Sequence, residues 1–506
     1  MAQLDPKERR IQKLEIILNV AKAMSTERDL GILLEEIVEH ARSVVDATRG
    51  SIFLLDKDKN ELWSKVAQGV REIRFPADKG IAGHVAQTKK PLNIPDAYAD
   101  PRFNPAVDKA TGFHTRNMLT VPMLSTKDEV VGVLQVLNKN PGDHWAEVEK
   151  GAAGPPFDAE DEEMLLALGG QAASAIENAI LYDEINKLFE GFIAASVVAI
   201  ESRDPTTSGH SGRVATLTCG LAEVVDRVDT GPHAKVTFDY DQMKVIRYAS
   251  LLHDFGKVGV REHVLVKAEK LYPNEVALLK ARFEFIKRTL EKEALERKIS
   301  VCQFSNPGET VALLAKLDEK LGHQLDSTDE ILRFLLECNI PTVLEKGGFE
   351  RLNEIAARTY SSFDGPKPYL AAPELVSLAI PKGSLTNEDR LEIESHVTHT
   401  YRFLATIPWT SKLRRIPEIA YGHHEKLDGK GYPRQIAAPE LPIQTRMMTI
   451  SDIYDALTAS DRPYKKAVPA SKALDILGFE AKEGKLDSAL LHLFIDAKVY
   501  ERTARG

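Results

Sequence analysis

Tyr421-Gly422-His423-His424-Glu425-Lys426-Leu427-Asp428-Gly429-Lys430-Gly431-Tyr432-Pro433-Arg434 sets two adjacent imidazoles ahead of a turn built on Gly429, Gly431 and Pro433, where a bulky ligand can approach the backbone closely. A histidine pair alone says little. Far upstream, Leu251-Leu252-His253-Asp254-Phe255-Gly256-Lys257 places an imidazole beside a carboxylate at the end of an apolar helical run, and downstream Ile450-Ser451-Asp452-Ile453-Tyr454-Asp455-Ala456-Leu457 adds carboxylates on another. Imidazole together with carboxylate is the ligand set of Zn, Fe or Mn centres rather than of Ca.

These three motifs, followed by Asp461-Arg462-Pro463-Tyr464-Lys465, resemble the HD-GYP family, a branch of the HD superfamily of metal-dependent phosphohydrolases. The resemblance runs from about residue 204 to residue 506 and implies an all-α domain with a two- or three-metal centre that hydrolyses cyclic di-GMP. Its opening is similar to Asp204-Pro205-Thr206-Thr207-Ser208-Gly209-His210-Ser211-Gly212-Arg213-Val214-Ala215, in which the family's histidine ligand corresponds to His210. Some members carry a Glu where this chain has Thr206 and use it for a third metal; a hydroxyl replaces a carboxylate poorly toward a divalent ion, so two metals are expected.

A second departure follows the His253-Asp254 pair. The family continues with a segment like Lys-Leu-Thr-x-x-Glu and a histidine ligand eleven residues after the Leu. Lys270-Leu271-Tyr272-Pro273-Asn274-Glu275 begins such a segment, but the ligand position holds Arg282. The pattern returns at Gly383-Ser384-Leu385-Thr386-Asn387-Glu388-Asp389, and the same offset leads to His396. An always-charged guanidinium cannot coordinate a cation, so His396 is the expected ligand and His399 its alternative. Residues 283–380 then read as a mostly helical insertion, either a cap or partner surface or a passive surface addition.

By this resemblance His210, His253, Asp254 and Asp452 hold one ion, and Asp254, His396, His423 and His424 hold the other, with Asp254 shared. Two cations about 3.5 to 4 Å apart activate water and stabilise the attacking and leaving oxygens of an in-line displacement at phosphorus. Fe or Mn suits this set better than a four-coordinate structural Zn. Lys257 matches the family residue that contacts the scissile phosphate, Asp254 and Lys257 being the expected catalytic pair. Tyr432, Pro433, Arg462 and Lys465 are expected on the substrate. Glu425 is a candidate to orient a ligand histidine, whereas Asp428 and Asp455 read as structural.

In the N-terminal part, apolar residues at Ile11, Leu14, Ile17, Ala21 and Met24 describe one helix face, and a second helix is expected over residues 29–45. The period then becomes that of strands, over residues 50–56, 61–66, 118–123 and 130–138. This α+β pattern, an antiparallel sheet flanked by helices, resembles a GAF domain, as do Lys79-Gly80-Ile81-Ala82-Gly83-His84-Val85-Ala86 and Pro95-Asp96-Ala97-Tyr98-Ala99-Asp100-Pro101-Arg102-Phe103. Asn138, Lys139, Phe157, Asp161 and Glu162 are similar to the signature of GAF domains that bind cyclic nucleotides, which implies a purine cyclic nucleotide as ligand. The other reading is a GAF domain that serves only dimerisation.

Between the halves, Leu165, Leu168, Ala172, Ala175, Ala179, Tyr182, Asn186, Phe189 and Ile193 recur in steps of three and four. That pattern reads as a coiled-coil seam of a parallel homodimer, or as a helix packed on its own domain. The expected organisation is a GAF domain over residues 1–160, a coiled-coil linker over 161–202 and an HD-GYP domain over 203–506. Cys219, Cys302 and Cys338 lie too far apart for a thiolate zinc site and suggest a reducing, cytoplasmic setting. A net charge of −9 argues against a nucleic-acid partner, while the basic Lys257, Lys430, Arg434, Arg462, Lys465 and Lys466 all fall within the motifs, where a small phosphodiester needs them. No apolar run reaches the length of a membrane span. The function read from the sequence is a phosphodiesterase converting cyclic di-GMP to pGpG and onward to GMP under GAF control. Its competitors are hydrolysis of another cyclic dinucleotide such as cyclic GMP-AMP, and a non-catalytic receptor.

Overall fold

The computed structural model describes residue 27 and residues 29–64, 73–140, 155–203, 208–341, 347–459 and 467–503. The helix expected over residues 11–24 lies outside them. The chain divides into two compact units, Met1–Glu190 and Gly191–Gly506.

The first unit opens on α1 (Leu30–Val44), whose N-cap Asp29 accepts hydrogen bonds from the amides of Gly31 and Ile32 and so satisfies donors that the helix cannot. Six strands follow: β1 (Ala47–Asp56), β2 (Glu61–Ser64), β3 (Ile73–Pro76), β4 (Leu92–Ile94), β5 (Met118–Leu124) and β6 (Val130–Lys139). They form one antiparallel sheet in the order β3-β2-β1-β6-β5-β4. Between β3 and β4 runs α2 (Gly80–Thr88). The four expected strands are present. β3 and β4 are too short, at four and three residues, to show alternation in the sequence.

Because side chains alternate across a strand, each sheet face has its own lining. Ile52, Leu54, Leu119, Val121, Met123, Leu134 and Val136 point to one face, where α1 and the long α3 (Ala159–Arg203) cover them in the main core. Leu165, Leu168, Ala172, Ala175 and Ala179 are all buried in that core. The first five positions of the expected coiled-coil seam therefore pack on the sheet of the first unit, and the linker expected to begin at residue 161 is part of that unit's core for its first turns. α3 is also long and apolar enough, by length and composition only, to cross a membrane; half of its most apolar window is buried within the protein.

The second unit is helical. Its main core joins α4 (His210–Val225), α5 (Tyr240–Leu252), α10 (Ile443–Thr458), α11 (Ala470–Lys482) and α12 (Ser488–Asp496), through residues such as Leu217, Leu221, Ile246, Met447, Ile450, Leu477 and Phe494. A separate core gathers Leu279, which precedes the expected insertion, with Phe283, Ile286, Ile331, Leu335 and Leu352, which lie within its expected bounds of 283–380. There α6 (Pro273–Phe304) and α7 (Pro307–Asn339) form a helical hairpin. Arg282 is held by Glu374 at 2.6 and 3.0 Å and donates to the Tyr369 carbonyl at 3.3 Å, inside the insertion. The repeated segment then begins α8 (Asn387–Thr406), capped by Thr386 and Asp389, and α9 (Ile416–Tyr421) follows. Both copies of the repeat thus start a helix, and α8 carries His396.

Candidate metal centre

His210, His253, Asp254, His423 and His424 sit at helix ends, whereas His396 and Asp452 lie in the middle of α8 and α10. His210 is the first residue of α4, behind Gly209 in the left-handed conformation. His253 closes α5, and Asp254 leads into a short turn, Phe255–Gly259. That turn is pressed onto α8. The Gly256 amide donates to Thr400 Oγ1 at 2.8 Å, Thr400 Oγ1 donates to the His253 carbonyl at 2.9 Å, and the rings of Phe255 and Phe403 stack at 3.7 Å. A Cβ on residue 256 would overlap the backbone of His396 and Thr400, so only glycine lets the two segments approach this closely. His423 and His424 follow α9, and Thr449 on α10 donates to the His423 carbonyl at 2.9 Å. Asp452 and Asp455 lie one turn apart on α10.

These elements bring His210, His253, Asp254, His396, His423, His424 and Asp452 together. Two groups, His210/His253/Asp254 and His396/His423/His424, each hold their ligand atoms within 4.8 Å of one another. Asp254 stands between them. Its Oδ1 lies 3.3 Å from His396 Nε2 and 4.0 Å from His423 Nε2, and its Oδ2 lies 3.6 Å from both His210 Nε2 and His253 Nε2. Asp452 Oδ1 is 3.3 Å from His210 Nε2 and 3.8 Å from His253 Nε2, while its Oδ2 is 3.8 Å from His424 Nδ1. His399 is in neither group; its ring packs beside Gly259.

The hydrogen bonds behind the rings decide which nitrogen faces the centre. Nδ1 of His253, His396 and His423 donates to the carbonyls of Ser250, Ile393 and Ala420 at 2.8, 2.6 and 2.6 Å, and Nδ1 of His210 donates to Asp455 Oδ2 at 2.7 Å. This turns Nε2 of each ring inward, with its lone pair free wherever the ring is neutral, the arrangement of imidazoles that can ligate a cation. His253 Nε2 is fully buried without a hydrogen-bond partner, a cost that a bound cation removes. Two groups of side chains can therefore hold metal ions here.

Electrostatics point the same way. Burial pushes the Asp254 carboxyl up, but Lys257, whose Nζ is 2.8 Å away, and the imidazoles of His253 and His396 hold it well below the usual range. Burial acts likewise on Asp452, but the neighbouring imidazoles of His210, His253 and His424 hold it well below the usual range. Burial and neighbouring imidazoles depress His423 strongly; burial depresses His424 to about 3, so both rings are neutral donors at neutral pH. His210 is the exception: burial lowers it, but Asp452 and Asp455 outweigh burial and raise it to about 9.

Tyr432 is half-buried with its ring 4.8 Å from that of His424, next to Pro433, which is joined to it by a cis peptide bond. Arg434 lies over the Tyr421 ring at 4.8 Å. Thr206, Arg462 and Lys465 lie outside the described residues. Glu425 does not orient a histidine; its carboxylate accepts the amides of Arg434 at 2.7 Å and Ile436 at 3.3 Å and braces the glycine-rich loop. Asp428 caps that loop by accepting the Lys430 amide at 3.0 Å. Asp455, read as merely structural, is what holds His210, and Arg213 in turn holds Asp455 at 2.7 and 3.1 Å. The signal was its spacing of three from Asp452 on one helix face. Thr400 and Thr449 carried no signal, because their roles depend on helix packing.

In the first unit, a cavity of about 420 Å³ opens on the sheet face away from α1 and α3, lined among others by Arg49, Phe53, Phe75, Arg102, Phe113 and Gln135. Asn138, Lys139, Phe157, Asp161 and Glu162 do not line it. Asn138 Oδ1 accepts the Arg116 amide at 2.6 Å and its Nδ2 donates to the His114 carbonyl at 2.8 Å; Lys139 is ion-paired with buried Asp161; Phe157 fills the core. Asn138 thus ties β6 to the segment before β5, the Lys139–Asp161 pair ties β6 to the start of α3, and Glu162 sits half-buried in the first turn of that helix.

Comparison with known proteins finds two domain models, each matching part of the chain. Residues 29–176 match the GAF domain model and residues 369–490 the HD domain model. The HD match includes His396, His423, His424 and Asp452 and begins after His210, His253 and Asp254. The "Probable 3',5'-cyclic phosphodiesterase pde-5" of Caenorhabditis elegans is 31% identical over 202 residues, covering 37% of this chain and 26% of the relative, so the match spans about a quarter of that protein's length. Among solved structures, the GAF domain of a phosphoenolpyruvate-protein phosphotransferase from Coxiella burnetii is 18% identical and covers 35% of this chain and 98% of its own, with a TM-score of 0.30. A free methionine-R-sulfoxide reductase from Neisseria meningitidis is 15% identical and covers 36% and 96%, with a TM-score of 0.28. The chain carries a GAF domain in its N-terminal part and an HD domain in its C-terminal part.

Proposed function

We propose that the chain is a cytoplasmic, metal-dependent phosphodiesterase of HD-GYP type that hydrolyses cyclic di-GMP to pGpG and onward to GMP, works as a parallel homodimer, and is regulated through its GAF domain. The observation that carries this reading is Asp254, whose two carboxylate oxygens each face a different cluster of imidazoles, as a carboxylate shared by two cations must. Fe or Mn fits the set of imidazoles and carboxylates, with His210, His253, Asp254 and Asp452 around one ion and Asp254, His396, His423 and His424 around the other. When bound, two such cations lower the pKa of water and stabilise the attacking and leaving oxygens of an in-line displacement at phosphorus.

The chain's own residues do the rest. The Nδ1 hydrogen bonds fix four imidazoles before any ligand arrives, and burial excludes competing water from their inner nitrogens. The Lys257 ammonium, held beside Asp254, is placed to offset negative charge developing on a phosphate at the centre. Tyr432, tilted by 35° against His424 at the half-exposed edge, offers a ring on which a guanine stacks. In the GAF domain, the 420 Å³ cavity has aromatic walls and the arginines Arg49 and Arg102, which suit a purine cyclic nucleotide better than a fold used for dimerisation alone. The three free cysteines are in keeping with a reducing compartment.

The test is turnover of cyclic di-GMP, cyclic GMP-AMP and cyclic GMP by protein loaded with Fe or Mn. Hydrolysis of cyclic di-GMP in preference to the other two supports the proposal, and His253→Ala or Asp254→Ala should reduce it at least about 10³-fold. Binding without turnover under either metal would make the chain a receptor instead.

A further inference from the structure

α3 changes character along its length. Up to Ala179 most of its apolar residues are buried in the GAF core. Beyond that point Leu181, Ile185 and Leu188 are 54%, 63% and 77% exposed, and Phe192, at 43%, continues the same spacing of four, three and four. Scattered surface leucines need no explanation, but a contiguous stripe in heptad spacing does. This stripe is displaced by one residue, about 100° around the helix, from the seam read off the sequence, of which Ile193 is buried.

We infer that two copies of this chain join in parallel along Leu181, Ile185 and Leu188, rather than along the seam that the sequence pattern suggests. The inference rests on the parallel-homodimer reading and gives it a location. With Ile185 at an a position and Leu181 and Leu188 at d, the stripe has the a/d chemistry that favours two strands over three or four. Glu184 then occupies g and Phe189 the following e, so in a parallel pair a carboxylate meets an aromatic ring and no like charges face each other across the seam. A heptad stripe on one helix is also complementary to itself about a twofold axis, which a second copy supplies without any further design. The exposed Asp183, Glu184 and Lys187 beside it make an apolar bilayer an unsuitable occupant. Side chains exposed to this extent present on the order of 400 Å² per chain, about half of a standard interface, so the dimer is expected to be reversible at micromolar concentrations.

The test is sedimentation velocity of the full chain across a concentration series. Leu188→Glu should raise the dimer dissociation constant at least about 100-fold, whereas Asn186→Glu, on the sequence-derived seam, should leave it within about threefold. Because Leu188 is on the surface, the variant should keep its fold, which circular dichroism checks. Independently, Leu188→Cys in a Cys302→Ser background should form an interchain disulfide on oxidation and Asp183→Cys should not, since d positions meet their own counterparts only in a parallel pair. A dimer that survives Leu188→Glu but is lost in Asn186→Glu would overturn the location while leaving the dimer standing. A wild-type chain that sediments as a monomer throughout would overturn the dimer reading itself.

Discussion

The Asp455 carboxylate never faces the space between the imidazole clusters, yet it accepts Nδ1–H from His210 and is fixed by Arg213. Replacing it by Asn removes the charge while keeping the shape, so His210 loses both its orientation and part of its basicity. Asp455→Asn is expected to weaken metal binding about 10- to 100-fold, read by titration with Mn under chelator competition, with turnover at saturating metal much less affected. His210 also sets a pH dependence. Its folded-state pKa of about 9 lies above the ordinary 6.5, so in the metal-free protein its protonation contributes stability that is complete below pH 6.5 and is lost as pH rises through 9. A cation needs the neutral ring. Metal binding at pH 7 should therefore release about one proton, and affinity should rise as pH goes from 7 to 9, which calorimetry in buffers of different ionisation enthalpy measures. At this scale the seven ligand candidates were legible because each lies in a short motif of distinctive chemistry. The roles of Asp455 and Glu425 were not, since which group a carboxylate faces depends on how α10 and the loop pack.

Gly256 shows how an element is held rather than what it ligates. The turn after Asp254 lies so close to α8 that any side chain at residue 256 must push the His396 backbone away. Gly256→Ala is therefore expected to destabilise the unit by about 2 to 4 kcal/mol and to spread the two halves of the centre, lowering both the melting temperature and metal content. A variant with unchanged melting and full metal content would show that the contact between the turn and α8 is not needed. Among the elements, α1 and the long strands were readable because capping and alternation are local signals. Arg282 was set aside as a ligand because a guanidinium cannot coordinate a cation, and the structure gives it a carboxylate partner, Glu374, instead. The first five seam positions on α3 pack on the chain's own sheet, the second of the two readings the sequence left open: a heptad pattern reports that one face is buried, and says nothing of whether the covering surface is a second copy or the chain's own sheet.

At the scale of the molecule, one unit offers a cavity for a small ligand and the other gathers imidazoles and carboxylates contributed by positions from residue 210 to residue 452. That convergence across 242 positions is what no local pattern could have established. The most direct measurement is the anomalous scattering of crystals loaded with Mn. The account predicts two peaks on either side of Asp254, one beside His210, His253 and Asp452 and the other beside His396, His423 and His424. A single peak elsewhere, or no ordered peak at these side chains at saturating Mn, would contradict it.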